Sequence, residues 1–184
     1  MKSAVHQDIA YVMLDNDRIQ QRVRELARQI EQDYRDADNV LLVGVLKGSV
    51  MFIVDLARTL QRQVALDFIA ISSYGQATET SGVVRVLKDL DTEISAWHVL
   101  IVEDIVDSGL TLGYLRESLQ RRNPASLRIC ALLNKPDRRQ SDVTLDYCGF
   151  DIPNEFVVGY GLDYAERYRN LPYIGVLRPE VYTH

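Results

Sequence analysis

Apolar positions follow two different spacings along the chain, and the first clear one is helical. From residue 17 to residue 35 apolar side chains recur every three or four positions, which predicts an amphipathic helix with one buried face. That face comprises Ile19, Val23, Leu26, Ala27, Ile30 and Tyr34. Asp15, Asn16 and Asp17 are each suited to cap the start of this helix.

The second pattern is a series of continuous apolar runs, typical of buried strands, that alternate with helical segments. Residues 40–46, VLLVGVL, contain no polar side chain and predict a strand buried on both faces, as in a parallel sheet. Further strands are predicted over residues 64–72, 82–90, 98–104, 126–135, 144–153 and 155–161, and helices over residues 50–61, with Ser49 as its cap, and 110–122. This alternation predicts an α/β sheet with helices on both faces, which binds ligands at the carboxyl ends of its strands.

Composition narrows the class of protein without changing this architecture. A chain of 184 residues with 47% hydrophobic and 26% charged residues predicts a single domain, residues 1–184, with a substantial core. The net charge of −5 argues against nucleic acid as the main partner. No apolar run approaches the roughly 20 residues of a membrane span, and no signal peptide is recognisable. Cys130 and Cys148 are expected to be free thiols in a reducing cytoplasm.

One turn combines acidic residues with a run of backbone amide donors that can bind an anion. It follows the strand predicted over residues 98–104 and reads EDIVDSGLT from Glu103 to Thr111. Successive backbone N–H groups and the helix N-terminus can bind an anion there, and Ser108 and Thr111 add hydroxyl donors. Gly109 allows a positive φ or a close approach of the backbone to a ligand.

The acidic residues of this turn would repel a phosphate unless the ligand also carries hydroxyl groups. Glu103 and Asp104 can accept hydrogen bonds from a vicinal diol, as acidic residues do with ribose. The turn therefore suits a sugar phosphate, and Asp107 is a candidate proton acceptor or electrostatic group at the reacting carbon. In a simpler interpretation, Asp107 and Ser108 only cap a helix and the other acids are solvated.

Two other loops carry residues suited to the same sheet edge. Lys47 and Gly48 follow the strand over residues 40–46 and offer a cation and free amides. Residues 72–82, SSYGQATETSG, are small and polar between two strands, which fits a lid. The plain alternatives are an exposed lysine on a short connection and a loop without function.

The segment VLIVEDIVDSGLT resembles the phosphoribosyl pyrophosphate signature of type I phosphoribosyltransferases, and residues from about 40 to 177 resemble the hypoxanthine/guanine branch of that family. The resemblance implies a type I phosphoribosyltransferase fold: a twisted, mostly parallel sheet flanked by helices, with a small hood built from the terminal segments over the base site. It implies transfer of the 5-phosphoribosyl group to N9 of hypoxanthine or guanine, giving IMP or GMP and pyrophosphate. It also implies Mg²⁺ as cofactor, a cytoplasmic location, and a homodimer or homotetramer.

The resemblance further assigns a role to each matching residue. Asp107 would be catalytic, and ribose and 5′-phosphate would contact Glu103, Asp104, Asp107, Ser108, Gly109, Leu110 and Thr111. Pyrophosphate would contact Lys47, Gly48 and Arg169, the base would contact Lys135, Phe156, Val157 and Asp163, and Mg²⁺ would be reached by Glu103, Asp104 and Asp163. Ser73 and Tyr74 would belong to the lid, and the Leu46–Lys47 peptide bond is expected to be cis.

Elementary chemistry fits several of these implied roles. An ammonium has hydrogen-bond donors only, so Lys135 would favour a 6-oxopurine over the 6-amino group of adenine. The planar guanidinium of Arg169 matches the oxygens of pyrophosphate. The chain departs from the family pattern at Leu110, where some relatives have lysine, and at Ser49, where others have a second glycine.

Two other functions remain open at this point. A non-catalytic regulator on the same fold would sense nucleotides and bind RNA, although the acidic composition and the intact lid, Lys135 and Asp163 count against it. An aspartate-nucleophile phosphatase would use acids at a strand end, but the D-x-D spacing is absent from Glu103 to Asp107.

Overall fold

A six-stranded sheet lies at the centre of the protein in the computed structural model, which describes residues 6–73 and 84–183. The strands are β2 (Val40–Leu46), β3 (Ala65–Ser73), β4 (Val84–Lys88), β5 (His98–Val106), β6 (Ser126–Asn134) and β7 (Tyr147–Asp151). They are arranged in the order β4-β3-β2-β5-β6-β7, and only β4 runs antiparallel to its neighbour. The predicted mostly parallel sheet is confirmed.

Helices cover both faces of this sheet, as predicted. They are α1 (Asn16–Asp33), α2 (Val50–Thr59) and α3 (Leu110–Gln120). The buried faces of α1 and α2 pack in one core cluster with Leu42, Leu100 and Leu132. The buried face of α3 packs in a second cluster with Leu41, Ile101 and Ile129. Alternate residues of the central strands therefore enter opposite cores, as expected for a sheet covered on both faces.

A second, three-stranded sheet is built from segments near the two ends of the chain. It consists of β1 (Ile9–Leu14), β8 (Val157–Val158) and β9 (Ile174–Leu177), in the antiparallel order β1-β9-β8. Leu14 and Ile174 of this sheet belong to the same core cluster as α1 and α2. The small sheet is therefore packed against the helix layer on one face of the large one.

Several local predictions need correction. The sequence did not predict β1 or β9, the short helix α4 (Pro179–Tyr182), or the 3-10 turn Pro136–Arg138. Asp15 caps α1 through a bond from the Arg18 N–H at 2.9 Å, but Ser49 does not cap α2. The Ser49 hydroxyl instead donates to the Val45 carbonyl at 2.7 Å, because its backbone is already helical.

Two expectations from composition can be compared with the described residues. Cys130 and Cys148 are free, and burial raises the pKa of the Cys130 thiol. Among residues 6–73 and 84–183, none of the helices combines the length and the apolar character needed to span a bilayer.

Candidate active site

The turn between β5 and α3 lines a pocket at the carboxyl edge of the large sheet. The pocket has a volume of about 280 Å³, and its lining includes Leu46, Glu103, Asp107, Ser108, Gly109 and Thr111. Gly109 has φ +78°, so the predicted left-handed glycine is confirmed. Gly109, rather than Asp107 or Ser108, occupies the N-cap position of α3, and it provides no side-chain cap. The Leu110 N–H nevertheless donates to the Ser108 hydroxyl oxygen at 3.4 Å, so Ser108 contacts the first turn of the helix from outside the N-cap position.

The boundaries of this turn also differ from the prediction. Strand β5 continues to Val106 rather than ending at Asp104, so Glu103 and Asp104 lie within the strand. Helix α3 already begins at Leu110, which places Leu110 and Thr111 in its first turn. Ser108, Thr111 and Leu112 all line the pocket, so the N-terminus of α3 borders it.

Glu103 and Asp104 form a pair of half-buried carboxylates. Burial, followed by the neighbouring charge of Asp104, raises the pKa of Glu103 well above its usual range. Burial also raises the pKa of Asp104, although the Ile105 N–H donates to this carboxylate at 2.7 Å. Two adjacent buried acids disfavour their charged forms unless a cation or hydrogen-bond donors compensate them.

Three segments of the chain meet around Gly48: the loop after β2, strand β5 and the segment that follows β8. The Leu46–Lys47 peptide bond is cis, as expected. A Cβ atom on Gly48 would lie 1.6 Å from Asp104 Oδ2, so the acid packs directly on this glycine. On the other side Gly161, with φ +101°, approaches so closely that a Cβ atom there would lie 2.0 Å from the Gly48 carbonyl oxygen. The loop after β2 is thus held between β5 and the segment that follows β8.

Lys47 and Arg169, the two cations expected at pyrophosphate, belong to one ionic network. Arg169 Nη1 donates to the Gly161 carbonyl at 2.8 Å, and its Nη2 lies 2.9 Å from Asp163 Oδ1. Glu166 Oε2 lies 3.2 Å from Lys47 Nζ and 3.4 Å from Arg169 Nη2. The role of Glu166 in this network was not predicted, because an acid three residues before an arginine is typical of an ordinary local ion pair.

Lys135 is buried beside the turn rather than exposed on the surface. It follows β6 directly, its side chain and backbone together are only 8% exposed, and its N–H donates to the Val106 carbonyl at 2.9 Å. This bond ties the residue expected to contact the base to the end of the strand that carries Glu103 and Asp104. A buried lysine is unusual without a partner, which fits a functional position.

Two of the other three residues expected at the base, Phe156 and Val157, lie at the small sheet. Val157 is a buried residue of β8, and the preceding Phe156 is 37% exposed. The Phe156 ring stacks on Tyr182 with a centroid distance of 4.7 Å, and Tyr164 meets it edge-on at 5.6 Å. Sequence analysis did not anticipate this aromatic cluster, because Tyr182 comes from the short helix α4 that it missed.

Arg138 and Arg139, which were not predicted from the sequence, add positive charge next to the turn between β5 and α3. Arg138 Nε donates to Asp107 Oδ1 at 3.0 Å. A Cβ atom on Gly109 would lie 2.8 Å from Arg139 Nη1, a buried nitrogen with no hydrogen-bond partner among the described residues. The signal was the pair of arginines shortly after Lys135, but only the fold brings them to the turn.

The lid was predicted over residues 72–82, and residues 74–82 of this range lie outside the described residues. Ser73 is the last residue of β3, and Tyr74 is not described. The described ranges contain no group of three His, Cys, Asp or Glu side chains that could hold a metal ion. The half-buried pair of Glu103 and Asp104 nevertheless fits a hard divalent cation whose other oxygens come from a ligand or water.

Comparison with known proteins identifies the class. Residues 13–165 match the phosphoribosyl transferase domain family, and the chain belongs to this family. It is 56% identical over 180 residues to the hypoxanthine-guanine phosphoribosyltransferase of Mycobacterium avium, an alignment that covers 95% of this chain and 89% of that protein. It is 49% identical to the Bacillus subtilis protein of the same name, with 95% and 97% covered.

The fold agrees with this assignment. The crystal structure of a hypoxanthine phosphoribosyltransferase from Staphylococcus aureus superposes with a TM-score of 0.94 at 47% sequence identity, and the match covers 100% of both chains. The expected type I phosphoribosyltransferase fold is therefore confirmed.

Proposed function

We propose that the protein is a purine salvage enzyme that transfers the 5-phosphoribosyl group from phosphoribosyl pyrophosphate to N9 of hypoxanthine or guanine. The products are IMP or GMP and pyrophosphate. The observation that carries the proposal is one pocket lined by Glu103, residues 107–109 and Thr111, together with Leu46 at the cis peptide bond. Val106 also lines this pocket and accepts the backbone N–H of the buried Lys135. The proposal is supported by the 56% identity of this chain to the Mycobacterium avium protein named hypoxanthine-guanine phosphoribosyltransferase.

The 5′-phosphate is proposed to bind the amides and hydroxyls of residues 108–111. Gly109 lets the backbone curve around the anion, and the start of α3 adds the positive end of a helix dipole. Arg139 would replace the positive charge that is missing at Leu110, because its Nη1 lies beside this turn without a partner among the described residues. The ribose hydroxyls would donate to Glu103 and Asp104.

The base is proposed to lie between the aromatic face of Phe156 and the ammonium of Lys135. Lys135 would donate to the oxygen at C6 of the purine, and backbone groups of Val157 would meet the purine edge. An amino group at C6 offers no comparable acceptor, so adenine would leave a buried cation unpaired. That loss sets the expected preference for 6-oxopurines.

In the proposed reaction the purine N9 attacks C1 of the ribose, and the C1–oxygen bond to pyrophosphate breaks with its electron pair leaving on pyrophosphate. Asp107 would stabilise or accept the proton on the imidazole edge of the base, at N7. Lys47, the Gly48 amide and Arg169 would hold the leaving group. Mg²⁺, held by Glu103, Asp104 and Asp163 together with ligand oxygens, would neutralise charge on pyrophosphate.

Four further expectations stay part of the proposal. Residues 72–82, including Ser73 and Tyr74, would act as a lid that keeps water from the oxocarbenium-like centre. Residues 1–184 would act as one domain. The enzyme would work in the cytoplasm as a homodimer or homotetramer. The alternative of an RNA-binding regulator has no support, since the relatives named above are transferases.

The proposal is tested by a steady-state comparison of four purines with phosphoribosyl pyrophosphate and Mg²⁺. Hypoxanthine and guanine should release pyrophosphate at a kcat/KM at least about 100-fold above that of adenine, because adenine cannot accept from Lys135. Xanthine, measured alongside, shows how the enzyme distinguishes between substituents at purine C2. Turnover of adenine alone, or of none of the four bases, would overturn the proposal.

A further inference from the structure

The Glu166 carboxylate lies between the two cations that the proposed function assigns to pyrophosphate. Its Oε2 is 3.2 Å from Lys47 Nζ and 3.4 Å from Arg169 Nη2. Lys47 comes from the loop after β2, whereas Arg169 comes from the segment between β8 and β9. A single carboxylate oxygen therefore joins two loops that sequence alone leaves far apart.

The neighbouring Asp163 contacts Arg169 but not Lys47, so it does not make the same bridging contact as Glu166. One Asp163 oxygen lies 2.9 Å from Arg169 Nη2, and the other accepts from the Glu166 N–H at 2.9 Å. Within residues 6–73 and 84–183, Glu166 is the only acid that contacts both cations. Its contact with Lys47, followed by the charge of Lys47, lowers the pKa of Glu166, so the carboxylate is charged at neutral pH.

The backbone of Glu166 is fixed by a tight turn that does not depend on its carboxylate. Ala165 and Glu166 have φ +50° and +61°, and Tyr164 and Arg167 exchange two backbone hydrogen bonds of 3.2 and 3.0 Å. Two successive residues with positive φ are typical of the type I′ turn of a hairpin. The side chain of Glu166 is 64% exposed and can swing away from the two cations while the turn stays in place.

We infer that Glu166 is a stand-in for pyrophosphate: its carboxylate neutralises Lys47 and Arg169 in the ligand-free enzyme and is displaced when the diphosphate binds. This inference rests on the proposed function. The displaced carboxylate would remain close to the diphosphate and repel it, so Glu166 would weaken pyrophosphate binding and speed its release as a product. Glu166 would thus set the affinity for the leaving group without touching the reacting atoms.

The test is calorimetric titration of inorganic pyrophosphate, with Mg²⁺ present, into the wild-type protein and the Glu166→Gln variant. Glutamine keeps the size of the side chain and removes its charge. We expect pyrophosphate to bind the variant about fivefold more tightly at low salt, with a smaller difference at high salt where exposed charges are screened. The inhibition constant of pyrophosphate in the forward reaction should fall by the same factor.

Glu117→Gln is the matched control, because Glu117 is also exposed and paired with one arginine, Arg121, on the outer part of α3. Its affinity for pyrophosphate should equal that of the wild type. Unchanged or weaker binding by Glu166→Gln would overturn the inference, and weaker binding would mean that Glu166 holds the two cations in place for the ligand. Absence of binding to all three proteins would instead overturn the pyrophosphate site, and with it the proposed function.

Discussion

The carboxylate of Asp104 occupies the space that a side chain on residue 48 would need. A Cβ atom on Gly48 would lie 1.6 Å from Asp104 Oδ2, and such a contact cannot be relieved without moving the acid or the loop. The acid pair proposed to hold ribose and the loop proposed to hold pyrophosphate are therefore in direct contact. A substitution in the acid pair should therefore also alter the loop, and a substitution in the loop should also alter the acid pair.

Gly48→Ala should disrupt this contact. Because a misplacement of about 1 Å in a binding group can cost about 100-fold in rate, we expect kcat/KM for phosphoribosyl pyrophosphate to fall by about that factor. Steady-state kinetics with varied phosphoribosyl pyrophosphate provides the measurement. Gly113→Ala is the control: it lies within α3, and its new Cβ would meet only Val143 Cγ2 at 3.3 Å. Equal kinetics for the two variants would contradict the close packing.

Asp104→Asn should stabilise the ligand-free protein while it weakens ligand binding. The pKa of Asp104 is raised in the folded state, so the free energy of unfolding falls as pH rises from the unfolded pKa, near 3.9, through the folded one. Asparagine can still accept from the Ile105 N–H but carries no charge. We expect a gain of about 1–2 kcal/mol at pH 7, or about 2–6 °C in Tm.

The gain should disappear as pH falls below about 4, where the wild-type carboxylates are protonated in both states. Thermal unfolding from about pH 3 to about pH 8 measures this dependence. A variant that is less stable than the wild type at pH 7 would show that the acid pair is compensated by contacts within the folded protein.

Asp107→Asn should affect chemistry more than binding. General acid–base catalysis contributes about 100-fold or more, so kcat should fall by at least that factor. The dissociation constant of phosphoribosyl pyrophosphate should change by less than about threefold, because Asp107 is at the surface of the pocket and paired with Arg138 at 3.0 Å. Asp137→Asn, a neighbouring exposed acid, should leave both quantities unchanged. An unchanged kcat in Asp107→Asn would remove this residue from the reaction.

Lys135→Met should remove the selectivity for 6-oxopurines. A hydrogen bond from a charged donor contributes about 1.5–3 kcal/mol, which corresponds to a loss of roughly 10- to 100-fold in kcat/KM for hypoxanthine. Turnover of adenine should change much less, because adenine does not use this bond. The same four-purine comparison measures both effects, and a uniform loss for all bases would indicate a structural role for the buried Lys135.

Continuous apolar strands made the large sheet predictable, because the run from Val40 to Leu46 is compatible only with burial on both faces. Strand β1 was not predictable, because its burial is irregular and its pairing with β9 contains register shifts. The small sheet forms only when segments from both ends of the chain meet, and no local pattern encodes that meeting.

The candidate site follows the same division. Residues 103–111 are contiguous in the sequence, so the combination of acids, hydroxyls and glycine could be recognised without the structure. The contacts of Glu166 with Lys47 and of Arg138 with Asp107 join distant segments. Such ion pairs depend on how the loops pack, and residue types alone do not indicate them.

A crystal structure of the protein with bound IMP tests the central claim most directly. The account predicts the phosphate within hydrogen-bond distance of the amides of residues 108–111, with the two ribose hydroxyls donating to the carboxylates of Glu103 and Asp104. A nucleotide bound with its phosphate elsewhere, or with neither carboxylate in contact with the ribose, would contradict it.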